Sequence, residues 1–297
     1  MKKKLCGTGV ALITPFKKNG DVDFNGLENI IKYVLNSNIN YLVALGTTSE
    51  SSTLYKEEKR DIIECIQYFN LKKLPLVLGI GGNDTVNVID QINYMKNLFK
   101  FYCILSVSPY YNMPSQNGIY NHFKSIIDNT NIKIIIYNVP KRTGSNINTK
   151  TVIKLSNDFK DNIIGIKEAS GNLLQSYNII KQKSDNFSLI SGDDFINIPI
   201  ILGGGESIIS VIAQGFPKQV SNMIDLAKKN DVKKSFSIFY KILDIIYLIY
   251  KEGNPTGIKT LLNIMNMCEP YVRLPLSIGT YSLRNEMKNC LNNINNL

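Results

Sequence analysis

The stretch NIIGIKEASGN, residues 162–172, is the one around which the fold of this chain is decided. Ile163, Ile164 and Ile166 flank Gly165 in a short run that is apolar on both faces, as strands of a parallel sheet are. Lys167 closes the run, and strand alternation sends Lys167 and Glu168 to opposite sides. If the strand belongs to a barrel, one of the two points into the barrel mouth. A lysine at a strand end ordinarily lays its stem along the surface and keeps its amine in water. Turned inward, the same residue becomes an amine able to form an imine. The stretch alone leaves both readings open.

Working outward, the same grammar recurs along the chain. Apolar strand runs are expected at 10–13, 41–45, 76–80, 102–107, 133–137, 163–166, 187–190 and 207–212. Between them, apolar residues at helical spacing predict helices from 23, over 55–69 and 85–98, over 116–128 and over 149–156. Eight strand-then-helix units within residues 1–224 read as α/β architecture, a (β/α)8 TIM barrel. A doubly wound open sheet is the competing arrangement, but no GxGxxG follows the first strand. Gly203-Gly204-Gly205 reads as a tight turn into the eighth strand rather than a phosphate loop. Residues 225–297 then form a small helical region, with helices over 232–251, from Asn254-Pro255 through Met265, and over 281–295. The first of these is apolar nearly all round, which calls for cover on two sides, by the barrel and by a neighbour.

Bulk properties exclude several classes of function. Of 297 residues, 44% are hydrophobic and 20% charged, the composition of a globular protein with ample core. The net charge of +10 comes from scattered lysine pairs, with only Lys2-Lys3-Lys4 forming a run. No arginine-rich helix, zinc-finger spacing or aromatic-basic sheet signature accompanies it, so a solvated surface is expected and no nucleic-acid partner. Five cysteines, none in CxxC spacing, and the single His122 leave no metal-ligand set, and His122 is expected to be structural. The apolar segment after the N-terminal lysines is broken by Gly7, Thr8 and Gly9 and ended by Pro15, unlike a secretory signal. The run at 236–250 carries Lys241 and Asp244 and falls short of the roughly 20 apolar residues that cross a bilayer. A cytoplasmic protein without a membrane partner is expected.

Barrel enzymes set their reacting groups on the loops after the strands. Here those loops offer Thr47 and Thr48, Tyr110 and Tyr111, Tyr137 and Arg142, Lys167, and Gly192 with two aspartates. Hydroxyls, one lysine and one arginine suit carbonyl chemistry through an imine. Only about one free lysine amine in 2,500 is neutral at pH 7, so an imine-forming lysine belongs where water is scarce and the charged form is disfavoured. Hydroxyl chains can relay the protons, and a guanidinium can grip a carboxylate with two parallel donors. Taken singly, Arg142 also reads as a surface loop residue and Tyr137 as core.

In order along the chain stand GTTSESSTL (46–54), SPYYNMPSQNGIYNHF (108–123), YNVPKRTG (137–144), GIKEASGN (165–172), SGDD (191–194) and EGNP (252–255). With these motifs the chain resembles the dihydrodipicolinate synthase (4-hydroxy-tetrahydrodipicolinate synthase) family over essentially its whole length. That family belongs to the pyruvate-dependent class I aldolase, or N-acetylneuraminate lyase, superfamily. The resemblance implies that Lys167 forms a Schiff base with pyruvate. It makes Tyr137 the proton donor and acceptor, linked to Thr47 and to a Tyr111 lent by the neighbouring subunit. It further implies that Thr48, the main chain at Ile209 and Gly192 hold pyruvate, and that Arg142 receives the carboxylate of L-aspartate 4-semialdehyde. No cofactor or metal is implied, and a homotetramer built as a dimer of dimers is.

Two departures from the family pattern stand out. Ser49 occupies the glycine position of the GTTGE loop, where a left-handed backbone would cost a serine about 1 kcal/mol; a slightly shifted loop is expected. Some relatives bind lysine as a feedback effector at the dimer interface. Asn83 and Tyr110 match that site, but Asn87 stands in place of a carboxylate, and Lys56 and Lys59 add positive charge. A vestigial effector site with weak or absent inhibition is the expectation. A sialic acid or 2-keto-3-deoxy sugar acid aldolase shares the lysine and tyrosine, while the paired threonines, Tyr111 and Arg142 favour the synthase. An inactive relative or a basic binding protein is the non-enzymatic alternative.

Overall fold

The structure, a computed structural model, describes residues 5–295; the Lys2-Lys3-Lys4 run lies outside them. Eight strands run in chain order around a closed barrel: β1 (Gly7–Ala11), β2 (Tyr41–Ala44), β3 (Leu76–Gly79), β4 (Cys103–Val107), β5 (Ile134–Asn138), β6 (Ile163–Glu168), β7 (Ser188–Ser191) and β8 (Ser207–Ser210). Pairing from β3 through β8 is parallel, as is that of β1 with β2. Every residue of β5 is buried, and β6 is buried at all but one position, which is why these strands read as continuous apolar runs rather than alternating ones. The helices are α1 (Phe24–Leu35), α2 (Lys56–Phe69), α3 (Thr85–Leu98), α4 (Gln116–Thr130), the single turn α5 (Pro140–Thr143), α6 (Thr149–Asp158), α7 (Leu173–Gln182), α8 (Asn197–Leu202), α9 (Pro217–Lys228), α10 (Val232–Lys251), α11 (Thr256–Ile264) and α12 (Tyr281–Asn295).

The chain divides into two compact units. One holds residues 5–7 and 75–209, with β3 to β7 and helices α3 to α8. Its core is β-branched, with Ile104, Ile134, Ile135, Ile136, Ile166 and Ile190 all buried. Between β5 and β6 the register shifts by one residue: Ile134 pairs with Ile163 but Ile135 with Gly165. A side chain at Gly165 would stand 2.6 Å from the Ser188 carbonyl oxygen, so only glycine lets β7 approach this closely. From there on the register is regular, and Tyr137 faces Lys167 and Asn138 faces Glu168. Gly203, Gly204 and Gly205 form a turn, with the Gly205 amide donating to the Ile200 carbonyl at 2.8 Å and φ of 106° at Gly204.

The other unit holds residues 8–74 and 210–295. The expected cover for the apolar helix α10 comes from α9, α11 and α12 of the same chain. Phe239, Ile242, Ile245, Ile246 and Ile249 face inward, while Tyr240 and Tyr247 stay exposed on the outer stripe. Within this unit α9, α11 and α12 bury the inner stripe of α10 and leave the outer stripe of tyrosines open. Among the described residues no helix is long and apolar enough to cross a membrane.

Candidate active site

In the first unit the parallel register does most of the positioning. Lys167 on β6 sits beside Tyr137 on β5, with its Nζ 4.3 Å from the centre of the phenol ring. Both are buried, Lys167 to 6% exposure, and among the described residues no carboxylate pairs with its amine. The strand end after β7 completes the wall. A Cβ placed on Gly192 would lie 2.8 Å from Lys167 Cε and 2.9 Å from its Cγ, so the lysine stem runs along a bare backbone. The Gly192 amide donates to the Glu168 carbonyl at 2.8 Å, and the Ala169 amide to the Asn138 carbonyl at 2.9 Å, which extends the sheet one residue past each strand. The inward reading of Lys167 is therefore the one the structure adopts.

Glu168 takes the opposite face, as strand alternation requires. Its carboxylate accepts from Asn138 Nδ2, the Ser170 amide and Gln175 Nε2. Arg142 is exposed on α5, whose first residue is a proline, in keeping with helix starts. Tyr110 and Tyr111 follow β4. Tyr111 is 87% exposed with φ of 70°, an uncommon left-handed backbone for an aromatic residue. Ile209 lies within β8, with its side chain buried. Burial pushes the Asp193 carboxyl up; the Phe195 amide opposes this, neighbouring Asp194 adds to it and Lys141 offsets part.

In the second unit, β2 runs into a 3-10 turn, Thr47–Ser49. Thr47 is exposed, and Thr48 is buried with its hydroxyl oxygen accepting from Asn254 Nδ2 at 3.0 Å. The strain expected at Ser49 does not arise, since the left-handed residue of this loop is Glu50, with φ of 53°. Ser49 instead donates its hydroxyl to the Gly46 carbonyl at 2.8 Å. Glu50 is anchored by Lys259 Nζ at 2.6 Å and by the Arg273 amide at 2.9 Å. Lys259 lies 209 positions away in sequence, so no local pattern signals the pair.

His122 is buried against Thr85, its Nδ1 and the Thr85 hydroxyl 2.9 Å apart, and burial brings its pKa down to about 4. That is a neutral, structural histidine at physiological pH. Of the residues singled out in the sequence for an effector site, Asn83, Asn87 and Tyr110 lie in the first unit, and Lys56 and Lys59 in the second. Asn83 accepts through its carbonyl from Asn112 Nδ2, Tyr110 is exposed, and Asn87 in the first turn of α3 accepts from Gln91 Nε2. Lys56 and Lys59 lie in α2, where burial holds the Lys59 amine below the ordinary lysine value.

The family model for the dihydrodipicolinate synthetase family matches residues 4–294. The chain belongs to that family. A 4-hydroxy-tetrahydrodipicolinate synthase of Karelsulcia muelleri is 54% identical over 286 residues, covering 96% of each chain. The crystal structure of the dihydrodipicolinate synthase of Thermotoga maritima superposes with a TM-score of 0.95 at 31% identity, covering 99% of this chain and 100% of that one. A chloride-inhibited dihydrodipicolinate synthase of Acinetobacter baumannii, complexed with pyruvate, superposes with a TM-score of 0.93 at 32% identity, covering 99% and 100%. Members of the dihydrodipicolinate synthetase family thus share the closed barrel and C-terminal helices described above.

Proposed function

We propose that this enzyme condenses pyruvate with L-aspartate 4-semialdehyde through a Schiff base on Lys167, giving 4-hydroxy-tetrahydrodipicolinate in the diaminopimelate and lysine biosynthesis pathway. The observation that carries the reading is a buried amine, without a carboxylate partner among the described residues, 4.3 Å from the ring of a buried tyrosine at the end of a barrel strand.

The Lys167 amine attacks the pyruvate ketone, and water leaves as the imine forms. Loss of a methyl proton gives the enamine, whose carbon attacks the aldehyde of the second substrate. The amine of that adduct then attacks the imine carbon, and the ring closes as Lys167 departs. Tyr137 supplies and removes protons at the ketone oxygen, in relay with Thr47 and Tyr111. Thr48, the Ile209 main chain and Gly192 hold pyruvate, and Arg142 grips the carboxylate of the semialdehyde. The exposure and left-handed backbone of Tyr111 support a role toward a second copy of the chain. A cytoplasmic homotetramer, a dimer of dimers, follows on that view. At the effector position Asn87 offers no charge to a lysine ammonium, which supports weak or absent feedback. Supplying pyruvate with aspartate semialdehyde, and separately sialic acid, tests the function. Turnover of the first pair alone is expected; cleavage of sialic acid alone would overturn the reading.

A further inference from the structure

The carboxylate next to the reacting lysine plays no part in the steps above, yet it is 1% exposed and pairs with no cation among the described residues. Burying a carboxylate on these terms is costly unless hydrogen bonds hold it. Four do. Asn138 Nδ2 reaches both oxygens at 3.2 and 3.0 Å, the Ser170 amide donates at 2.8 Å and Gln175 Nε2 at 2.9 Å. Every neighbour presents N–H, which only an acceptor-only group can satisfy at both oxygens.

We propose that Glu168 is a positioning residue that sets Lys167 against Tyr137. The inference rests on the Schiff-base reading of Lys167. Asn138 and Glu168 are the register pair directly after Tyr137 and Lys167. Joining their side chains on the outer face fixes the sliding of β5 against β6, and with it the placement of amine against phenol on the inner face. The hub also extends to the turn after Arg142. Asn138 accepts from the Ile147 amide at 2.9 Å and donates to Asn146 Oδ1 at 2.8 Å, and Asn146 donates to Gln175 Oε1 at 2.9 Å. One carboxylate therefore ties together the imine strand, the phenol strand, the turn beyond the arginine and the start of α7. A glutamine there would turn a donor toward Asn138 or Gln175 and open one of these ties.

The test is the rate at which borohydride traps pyruvate on the protein, measured where each variant is folded by circular dichroism. Wild type is expected to be trapped readily. Glu168→Gln is expected to slow trapping by about tenfold or more, within the roughly hundredfold that a 1 Å misplacement costs. Adding Asn138→Asp to Glu168→Gln exchanges carboxylate and amide across the same pair and is expected to recover much of the rate, a rescue that lost stability alone does not produce. If Glu168→Gln does not fold, Gln175→Ala decides, with a several-fold loss expected from one missing donor. Wild-type trapping in Glu168→Gln, or in Gln175→Ala where that variant decides, overturns the proposal, as does a double variant no faster than Glu168→Gln. Absence of any adduct in wild type sinks the Schiff-base reading itself, and the proposal with it.

Discussion

Gly192→Ala isolates the placement of the reacting amine from the stability of the barrel. Gly192 does not adopt a left-handed backbone, so alanine meets no torsional penalty there. The new methyl, however, would lie 2.8 Å from both Lys167 Cε and Ala169 Cβ. Carbon atoms pack at about 3.5–4.0 Å, so the lysine stem must give way by roughly 1 Å. A displacement of that size at the reacting atom costs on the order of a hundredfold in rate, or about 2.7 kcal/mol of barrier. Overpacking of this kind takes about 1–3 kcal/mol from folding, and about 2–4 °C of Tm accompanies each kcal/mol in a protein this large. The assay pairs kcat/KM for pyruvate with a thermal melt. A folded variant is expected, a few degrees less stable and about a hundredfold slower. Activity within about threefold of the parent would show that the Lys167 amine need not occupy this position, and the reasoning would fail.

Acid should expose His122: its folded pKa of about 4 lies below the ordinary 6.5, so the unfolded chain binds more protons between those values and stability falls as pH drops through that window. The loss totals about 3 kcal/mol, and urea unfolding of His122→Gln should show a correspondingly flatter pH dependence; equal slopes would contradict the assignment. Lys259, fully buried against a 2% exposed Glu50, should cost about 3–5 kcal/mol when replaced as Lys259→Met, because a buried carboxylate loses its partner. Restoration of part of that loss by Glu50→Gln in the same chain is expected, and a single-variant loss under about 1 kcal/mol would count against the pair. Millimolar lysine is expected to leave turnover almost unchanged; strong inhibition in a steady-state assay would show that Asn87 still serves an effector site.

The barrel was legible because its strands are buried on both faces and stand out as isoleucine-rich runs. The positions of Lys167, Tyr137 and Gly192 at strand ends follow from those runs, whereas the roles expected of them came from the family resemblance, since Tyr137 taken alone reads as core. Boundaries drifted where the chemistry of the strand changes. β6 runs on through Lys167 and Glu168 because the sheet keeps hydrogen-bonding after the apolar residues stop, and β1 begins at Gly7, ahead of its apolar core. The segment NIPIIL, α8, is too short and too uniformly apolar for periodicity to separate helix from strand. The site's supports were not legible at all. Glu50 meets Lys259 across 209 positions, and Glu168 gathers Asn138 and Gln175 from two other elements. Such partners become neighbours only once the strands are in register.

The central claim is that the Lys167 amine condenses with a ketone. Reduction with borohydride in the presence of pyruvate, followed by mass analysis of the peptides, tests it directly. One reduced pyruvate on the peptide containing Lys167, absent in Lys167→Ala, is the expected result. An unmodified Lys167 peptide under turnover conditions, or an adduct on another lysine, would contradict it.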